Sequence, residues 1–254
     1  MGSKNSPVLV ADEILKAMQK FLARETAKNL HRPHIIEFTG TPDSGKTTLI
    51  SGVDSLLRKW DFRVRIPQEG AEVFRHIPRS TPLYNILTGA YGLRNVIEAA
   101  YSHDCDFVLL DRALYDAHAW MIYWREKGQL SARQCAKKQS FFMDFRYLQF
   151  IDLCFYVTCS AEEAMRRANL DAPSRHQPPK DGNFTNQKTI EKLIGYFQES
   201  AAVLGTLTRP IASVDTTILT KPEMFDLVTD RILESVNRRI RAGIEDTGKT
   251  EHLY

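Results

Sequence analysis

One short segment, residues 40–47, constrains the fold of this chain more than any other part of the sequence. Its residues, GTPDSGKT, fit the pattern G-x-x-x-x-G-K-[ST] and lie between a β-rich run, 34–39, and a helical segment, 46–60. Glycines at both ends let the backbone wrap closely, so that its N–H groups and the N-terminus of the next helix face a bound anion. The segment therefore predicts a phosphate-binding loop between a strand and a helix.

The side chains of this loop suit a nucleoside triphosphate. Lys46 is expected to reach the β and γ phosphates of ATP, and the Thr47 hydroxyl is expected to ligate Mg²⁺. The alternative is an ordinary glycine-bearing turn. We predict ATP and Mg²⁺ as cofactors. The residues predicted to bind the donor nucleotide are Gly40, Thr41, Pro42, Asp43, Ser44, Gly45, Lys46, Thr47 and Thr48.

Strand and helix patterns alternate along the rest of the chain. Further strands are predicted at 62–66, 107–110, 153–158 and 211–214, and helices at 8–29, 72–76, 83–101, 114–127, 132–149, 161–168, 187–207 and 222–239. This alternation implies an α/β fold of three layers, a mostly parallel five-stranded sheet flanked by helices, as in P-loop NTPases.

We expect a single domain over residues 1–254. It comprises an N-terminal helical extension, 1–32, a core, 33–240, and a mobile tail, 241–254. The stretch 169–186 is rich in Pro, Asn, Asp and Arg, so an arginine-bearing lid is predicted at about 166–186.

Charge and cysteine patterns narrow the class of protein. The formal net charge is +3, and basic residues alternate with acidic ones, so no duplex nucleic acid partner is expected. Pro7 and Asp12 stand where a signal peptide needs an apolar run, and no stretch approaches the length of a membrane helix, so we expect a cytoplasmic protein without membrane partners. The cysteines show no metal-ligand spacing and are expected to be reduced: Cys105, Cys135, Cys154 and Cys159.

A second candidate feature follows the apolar run 107–110. Asp111 ends this predicted strand beside the phosphate loop, where it can hold magnesium directly or through water. Arg112 comes next, and a guanidinium there can clamp an acceptor or stabilise charge on the transferring phosphoryl group. The alternatives are a turn residue for Asp111 and a surface ion pair for Arg112.

With these features on one chain, the sequence resembles the thymidylate kinase and deoxynucleoside kinase group of P-loop kinases over about residues 34–237. The matching segments are GTPDSGKTT after the first strand, Gln68-Glu69 after the second, Leu93-Arg94 in the helix before the third, Asp111-Arg112 at its end, and FYVTCSAEEAMRRA over the fourth strand and the lid helix.

The resemblance implies roles for further residues. Glu69 is expected near the acceptor hydroxyl as general base, and Arg94 is expected to face the acceptor; the alternatives are a solvated carboxylate and an exposed helix arginine. The predicted catalytic set is Lys46, Asp111, Arg112, Glu69, Arg166 and Arg167, and the predicted acceptor-binding set is Glu69, Arg94 and Arg112. Arg175 is a further lid arginine, His176 is interpreted as an ordinary lid residue, and Phe74, Tyr84 and Tyr91 are candidates either for stacking on a base or for packing.

The sequence departs from the group at the acceptor side. Ala113 follows the Asp-Arg pair where a Ser or Tyr is frequent, and residues 67–70 are not the usual acceptor loop. We predict an ATP- and Mg²⁺-dependent kinase for a nucleoside or nucleotide, with a homodimer as a possible assembly. The alternatives are a P-loop kinase for another small molecule or an RNA end, and a regulatory NTPase without an acceptor.

Overall fold

The computed structural model of this chain describes residues 7–27, 32–171, 186–207 and 211–250. Strands in these ranges form one parallel sheet: β1 (His34–Gly40), β2 (Val64–Arg65), β3 (Phe107–Asp111), β4 (Ile151–Thr158) and β5 (Ile211–Asp215). Their order across the sheet is β2-β3-β1-β4-β5. Because β1 lies in the middle between β3 and β4, the carboxyl ends of these three strands meet at one edge.

Helices cover both faces of the sheet. They are α1 (Pro7–Ala27), α2 (Lys46–Lys59), α3 (Gly70–Val73), α4 (Pro82–Ala100), α5 (Leu114–Glu126), α6 (Ala132–Phe142), α7 (Phe145–Leu148), α8 (Ala161–Asp171), α9 (Gln187–Leu207) and α10 (Lys221–Thr250). The predicted three-layer α/β fold with a parallel five-stranded sheet is therefore confirmed.

The two faces of β1 pack against different helices, as strand alternation requires. Ile36 and Phe38 belong to the core cluster that contains Leu49 of α2 and Val228 of α10. Ile35 belongs to the cluster on the opposite face, with residues of α4 and α5. The side chains of Glu37 and Thr39, which alternate onto the same face as Ile35, therefore face α5.

Several elements differ in extent from the predictions. The single helix predicted at 132–149 is two helices, because the Asp144 side chain accepts the Arg146 N–H and starts α7 after α6 has ended at Phe142. Strand β2 has only two residues. Helix α8 continues to Asp171, and α10 continues through 241–250, which we expected to belong to a tail.

The predicted lid at about 166–186 is described only in part. Residues 172–185, including Arg175 and His176, lie outside the described residues. The division into extension, core and tail stays a prediction.

The N-terminal helix α1 packs on α10. Its buried side chains Leu15, Met18 and Leu22 belong to the same core cluster as α2 and α10. After α1, the Arg32 guanidinium makes two hydrogen bonds with the buried Asp152 carboxylate, at 2.7 and 2.8 Å. Within the described ranges, no helix is both long enough and apolar enough to cross a membrane.

Candidate active site

The loop between β1 and α2 has the backbone of a close-wrapped turn. Gly40 has φ 139°, and a Cβ placed there would lie 1.9 Å from the Val157 carbonyl oxygen. Gly45 has φ 93° and is the N-cap residue of α2. Any other residue would be strained at both positions. The strand, loop and helix predicted around residues 40–47 are therefore present. Steric constraints explain why the motif has glycine at positions 40 and 45.

Lys46 is held against this loop. Its Nζ donates to the carbonyl oxygens of Thr41 at 2.6 Å and Gly40 at 3.2 Å. Burial lowers the pKa of Lys46 to about 8, the nearby Arg112 contributes to the lowering, and Asp111 opposes it. The carbonyl groups that Lys46 contacts are neutral. An anion bound in the loop would raise the pKa of Lys46, because an opposite charge nearby favours the protonated ammonium group.

Asp111 ends β3 directly beside Phe38 of β1. Its Oδ1 is buried and has no hydrogen-bond partner within the described residues, and the same holds for the Thr41 hydroxyl. Burial raises the pKa of Asp111, whereas Arg112 and Lys46 lower it. The Asp111 carboxylate oxygen without a partner and the hydroxyl group of Thr47, an exposed residue of the phosphate loop, are the kind of oxygen ligands that Mg²⁺ prefers, so these residues fit the predicted metal.

Arg112 is the centre of an ion-pair network. Its Nη1 lies 2.7 Å from Asp116 Oδ1, and its Nε lies 3.2 Å from Glu69 Oε1. Burial lowers the pKa of Arg112, but the carboxylates of Asp116, Glu69 and Asp111 outweigh it, and the pKa lies above its ordinary value. The side chain is 19% exposed, so it is not the surface ion pair considered as the alternative. Burial raises the pKa of Glu69, and Arg112 opposes this rise.

A pocket opens beside this network and reaches the phosphate loop through Pro42. Its walls come from the loop, from the segment after β2, and from α4 and α5. The lining residues are Pro42, Glu69, Gly70, Ala71, Arg79, Tyr84, Asn85, Thr88, Arg112, Ala113, Asp116, Ala117 and Trp120. The structure therefore brings together the phosphate loop, Glu69 and Arg112, as predicted from three separate parts of the chain.

The pocket contains one amide whose orientation is determined. Trp124 Nε1 donates to Asn85 Oδ1 at 2.9 Å. Because an indole nitrogen can only donate, this bond assigns the oxygen and nitrogen of the amide. The Asn85 Nδ2 is the atom that remains to donate to a ligand.

Aromatic residues contribute unequally. Tyr84 lines the pocket, and the Arg79 guanidinium lies 5.4 Å from its ring centroid. Phe74 and Tyr91 instead pack edge-to-face on each other, with centroids 5.6 Å apart, and neither lines the pocket. Of the three predicted candidates for stacking, only Tyr84 lies at the site.

The structure does not bring Arg94 to this pocket. Its guanidinium binds Glu98 one turn along α4, with Nε 2.8 Å from Oε1, and the side chain is 63% exposed. Pocket-lining residues of the same helix, such as Asn85 and Thr88, lie on another face. Helix geometry thus places Arg94 in solvent, which matches the alternative of an exposed helix arginine.

The two adjacent arginines of α8 lie in different surroundings. Arg167 Nη1 donates to Thr216 Oγ1 at 2.8 Å and lies 3.4 Å from the Asp43 carbonyl oxygen of the phosphate loop. Arg166 is 60% exposed and binds Glu163. Of this pair, only Arg167 contacts the loop.

Several residues at the site were missed from the sequence, among them Asp116, Asn85 and Trp120. Asp116 had a detectable signal, because it follows Arg112 by four positions at the start of a predicted helix, a spacing that pairs opposite charges. Asn85 and Trp120 had none, because their place in the pocket depends on how α4 and α5 pack.

Comparison with known proteins supports the fold. No protein-family model matches the chain, and no curated protein matches its sequence. Among solved structures, it is similar to deoxyadenosine kinase from M. mycoides with bound dCTP (14% identity, TM-score 0.51), with bound dATP (15%, 0.54), and with products dCMP and a flexible dCDP (15%, 0.55). Each match covers 78% of this chain and 98% of that chain. At these identities the similarity shows that the chain shares the fold of this P-loop nucleoside kinase.

Proposed function

We propose that this chain is an ATP- and Mg²⁺-dependent phosphotransferase whose acceptor is the hydroxyl group of a nucleoside. The observation that carries the proposal is the position of Arg112, which lies between Glu69 and Asp116 in a pocket that adjoins the phosphate loop. From this arrangement we infer a donor site at the phosphate loop, an acceptor site in the pocket, and the Arg112 guanidinium acting between them.

The donor would bind in the loop of residues 40–48. Its backbone N–H groups would face the phosphates, and the Lys46 ammonium would exchange the carbonyls of Gly40 and Thr41 for phosphate oxygens. Thr47 and Asp111 would hold Mg²⁺, which supplies charge neutralisation on the donor phosphates when it is bound.

The acceptor end favours a hydroxyl group over a phosphate group. Glu69 lines the pocket beside Arg112, and a carboxylate there can take the proton of an attacking hydroxyl but repels a phosphate. Its raised pKa suits a general base better than an ordinary carboxylate. The new bond joins the acceptor oxygen to the γ-phosphorus, the bond to the β-γ bridging oxygen breaks, and ADP leaves while Arg112 stabilises the equatorial oxygens.

The rest of the pocket suits a nucleobase. Tyr84 and Trp120 supply aromatic wall, and Asn85 Nδ2 supplies a hydrogen-bond donor of determined orientation. The similarity to a deoxyadenosine kinase fold adds support for a nucleoside as acceptor and none for thymidylate in particular.

Arg167 is proposed to act on the donor side. It lies against the phosphate loop, and its hydrogen bonds to Thr216 keep it there. Arg166 would reach phosphate only by leaving Glu163, so a catalytic role for it stays a prediction, as do lid closure and a homodimer.

The test is transfer of labelled γ-phosphate from ATP, with Mg²⁺, to a panel of nucleosides, nucleoside monophosphates and short RNAs. We expect label on one or more nucleosides, and none in a Lys46→Ala variant that still shows the wild-type circular dichroism spectrum. Label on a monophosphate or an RNA end alone would contradict the nucleoside assignment. Release of free phosphate without any labelled acceptor would instead indicate a regulatory NTPase.

A further inference from the structure

A fully buried carboxylate lies under the active site. Glu37, in the middle of β1, has no exposed surface, and its two oxygens accept four backbone N–H groups at 3.0 to 3.2 Å. These N–H groups belong to residues 113–116, the first turn of α5. Glu37 therefore binds all the donors that the start of this helix leaves free of intrahelical partners.

Helix α5 lacks a cap of its own. Its N-cap residue is Ala113, which has no side chain that can accept a hydrogen bond. By contrast, α6 begins with Ser131, whose hydroxyl accepts the Gln134 N–H in an ordinary capping box. Glu37 thus takes the place of a local cap from a strand 76 positions earlier in the chain.

The turn that Glu37 binds is unusual in its backbone. Arg112 has φ 65°, in the left-handed region that residues with a Cβ rarely adopt, and Ala113 has φ −150° and ψ −113°. Such a conformation persists only where the surroundings over-determine it. Four hydrogen bonds that one buried carboxylate accepts, together with the bond from Arg112 N–H to the Phe38 carbonyl oxygen at 3.0 Å, provide that constraint.

A second side chain of β1 holds the same turn. Thr39 lies two positions after Glu37, on the same face of the strand, and its hydroxyl donates to Asp116 Oδ1 at 3.1 Å. The same Asp116 oxygen also accepts a hydrogen bond from Arg112 Nη1. The backbone N–H of Asp116 donates to Glu37 Oε1 at 3.0 Å. The Asp116 backbone and carboxylate are therefore both bound to β1.

We propose that Glu37 and Thr39 are positioning residues for phosphoryl transfer, which hold the Arg112 guanidinium in place through the first turn of α5 and Asp116. The role in transfer rests on the proposed function, whereas the structural link from β1 to Arg112 does not. Neither residue touches a substrate in this arrangement. Their effect reaches the acceptor pocket only through Arg112 and Asp116, which line it.

The first test is Glu37→Gln. The amide keeps the size of the side chain but sets an NH₂ group against backbone donors, so the turn must shift. We expect kcat for nucleoside phosphorylation to fall about 10- to 100-fold, since a displacement near 1 Å costs about that much, while KM for ATP stays close to wild type. The phosphate loop itself makes no hydrogen bond to Glu37.

The matched control is Asp152→Asn. Asp152 is also a buried carboxylate that accepts a backbone N–H, from Ile35, but it lies at the opposite end of the sheet on β4. We expect this variant to lose stability without losing kcat, measured below the unfolding temperature of both proteins. Equal losses of kcat in the two variants would overturn the proposal, because the effect would then be one of general destabilisation.

A second readout needs no enzymatic activity. In nitrogen-15 NMR spectra, the Nε–H signal of Arg112, assigned by its loss in Arg112→Lys, reports its contact with Glu69. We expect Glu37→Gln to shift or broaden this signal and Asp152→Asn to leave it unchanged. An unchanged signal together with wild-type kcat in Glu37→Gln would refute the proposal. If the wild-type protein transfers phosphate to no acceptor, the proposed function fails, and this signal still decides the link from β1 to Arg112.

If Glu37→Gln does not fold, Thr39→Val tests the same link. Valine keeps the shape of the side chain and removes only the hydroxyl that binds Asp116. We expect the Arg112 signal to shift and kcat to fall about tenfold or more, the value of one lost hydrogen bond to a charged group. A Thr39→Val protein with wild-type kcat and an unchanged Arg112 signal would overturn the proposal.

Discussion

Arg112 Nη1 lies 2.7 Å from Asp116 Oδ1 across the first turn of α5, and both side chains are largely buried. Arg94 and Glu98 on α4 have the same four-residue spacing and the same 2.7 Å separation between Nη2 and Oε1, but they are 63% and 52% exposed. An exposed pair of this kind contributes little to stability, whereas breaking a buried pair leaves an uncompensated charge. Burial, not spacing, distinguishes the pair at the candidate site.

Replacement of Asp116 by Asn should impair turnover more than donor binding. The neutral amide removes one of the two carboxylates that orient Arg112. We expect kcat to fall about 10- to 100-fold, and KM for ATP to change by no more than about threefold. Steady-state kinetics with the acceptor found in the panel would measure both. Glu98→Gln removes the equivalent charge on α4 and is the control, and a comparable fall of kcat in that variant would contradict the distinction.

The two arginines of α8 should separate in their effects. Arg167→Ala removes a guanidinium that lies against the phosphate loop, so we expect KM for ATP to rise about tenfold. Arg166→Ala removes an exposed side chain that binds Glu163, and we expect KM for ATP to stay within about twofold of wild type. Measuring the transfer rate of both variants as a function of ATP concentration gives the two KM values. A larger loss in Arg166→Ala would restore the lid role that the sequence resemblance implies for it.

Asn85→Asp should reverse the hydrogen bond offered to the acceptor base. Trp124 Nε1 can still donate to one oxygen, and the other oxygen then replaces the amide donor. We expect kcat/KM for the wild-type nucleoside to fall about 10- to 100-fold, since an acceptor atom of the base would meet another acceptor. Asn95→Asp, on the same helix but outside the pocket lining, is the control. If Asn85→Asp keeps the wild-type kcat/KM for every nucleoside of the panel, this amide has no role in selection.

His118 should make the stability of the fold depend on pH. Burial lowers the pKa of His118 to about 4, below its ordinary 6.5, and its Nδ1 lies 2.8 Å from Ser200 Oγ. Between pH 6.5 and 4 the unfolded chain therefore binds the proton and the folded protein does not, so stability is lost as the pH falls. The difference corresponds to about 3 kcal/mol across this range.

Urea unfolding at several pH values would measure this dependence. We expect the slope between pH 6.5 and 4 to be flatter in His118→Gln than in wild type. His76→Gln, at an exposed position, is the control for the substitution itself. Identical slopes in wild type and His118→Gln would show that His118 takes up its proton equally in the folded protein.

Much of the fold of this protein, and part of its candidate site, could be predicted from the sequence alone. The phosphate loop, the five strands and the ends of β1 and β3 were predictable, because glycine freedom, strand patterns and the parallel arrangement of α/β units are local properties of the chain. The same reasoning placed Asp111, Arg112 and Glu69 at one edge of the sheet, since the carboxyl ends of parallel strands converge. The extents of β2 and of some helices differed, as at Asp144, where a local cap divides one predicted helix into two.

Only the tertiary structure decided how the site is completed. Arg94 and Asn85 lie on the same helix, and no periodicity in the sequence tells which of them faces α5. In the sequence, Glu37 is a polar residue within a predicted strand, and nothing there indicates a role in a helix. In the structure, it caps a helix that begins 77 positions later at Leu114. The physical reason is that helix packing and long-range hydrogen bonds depend on which elements become neighbours, and a chain specifies this only through the whole core at once.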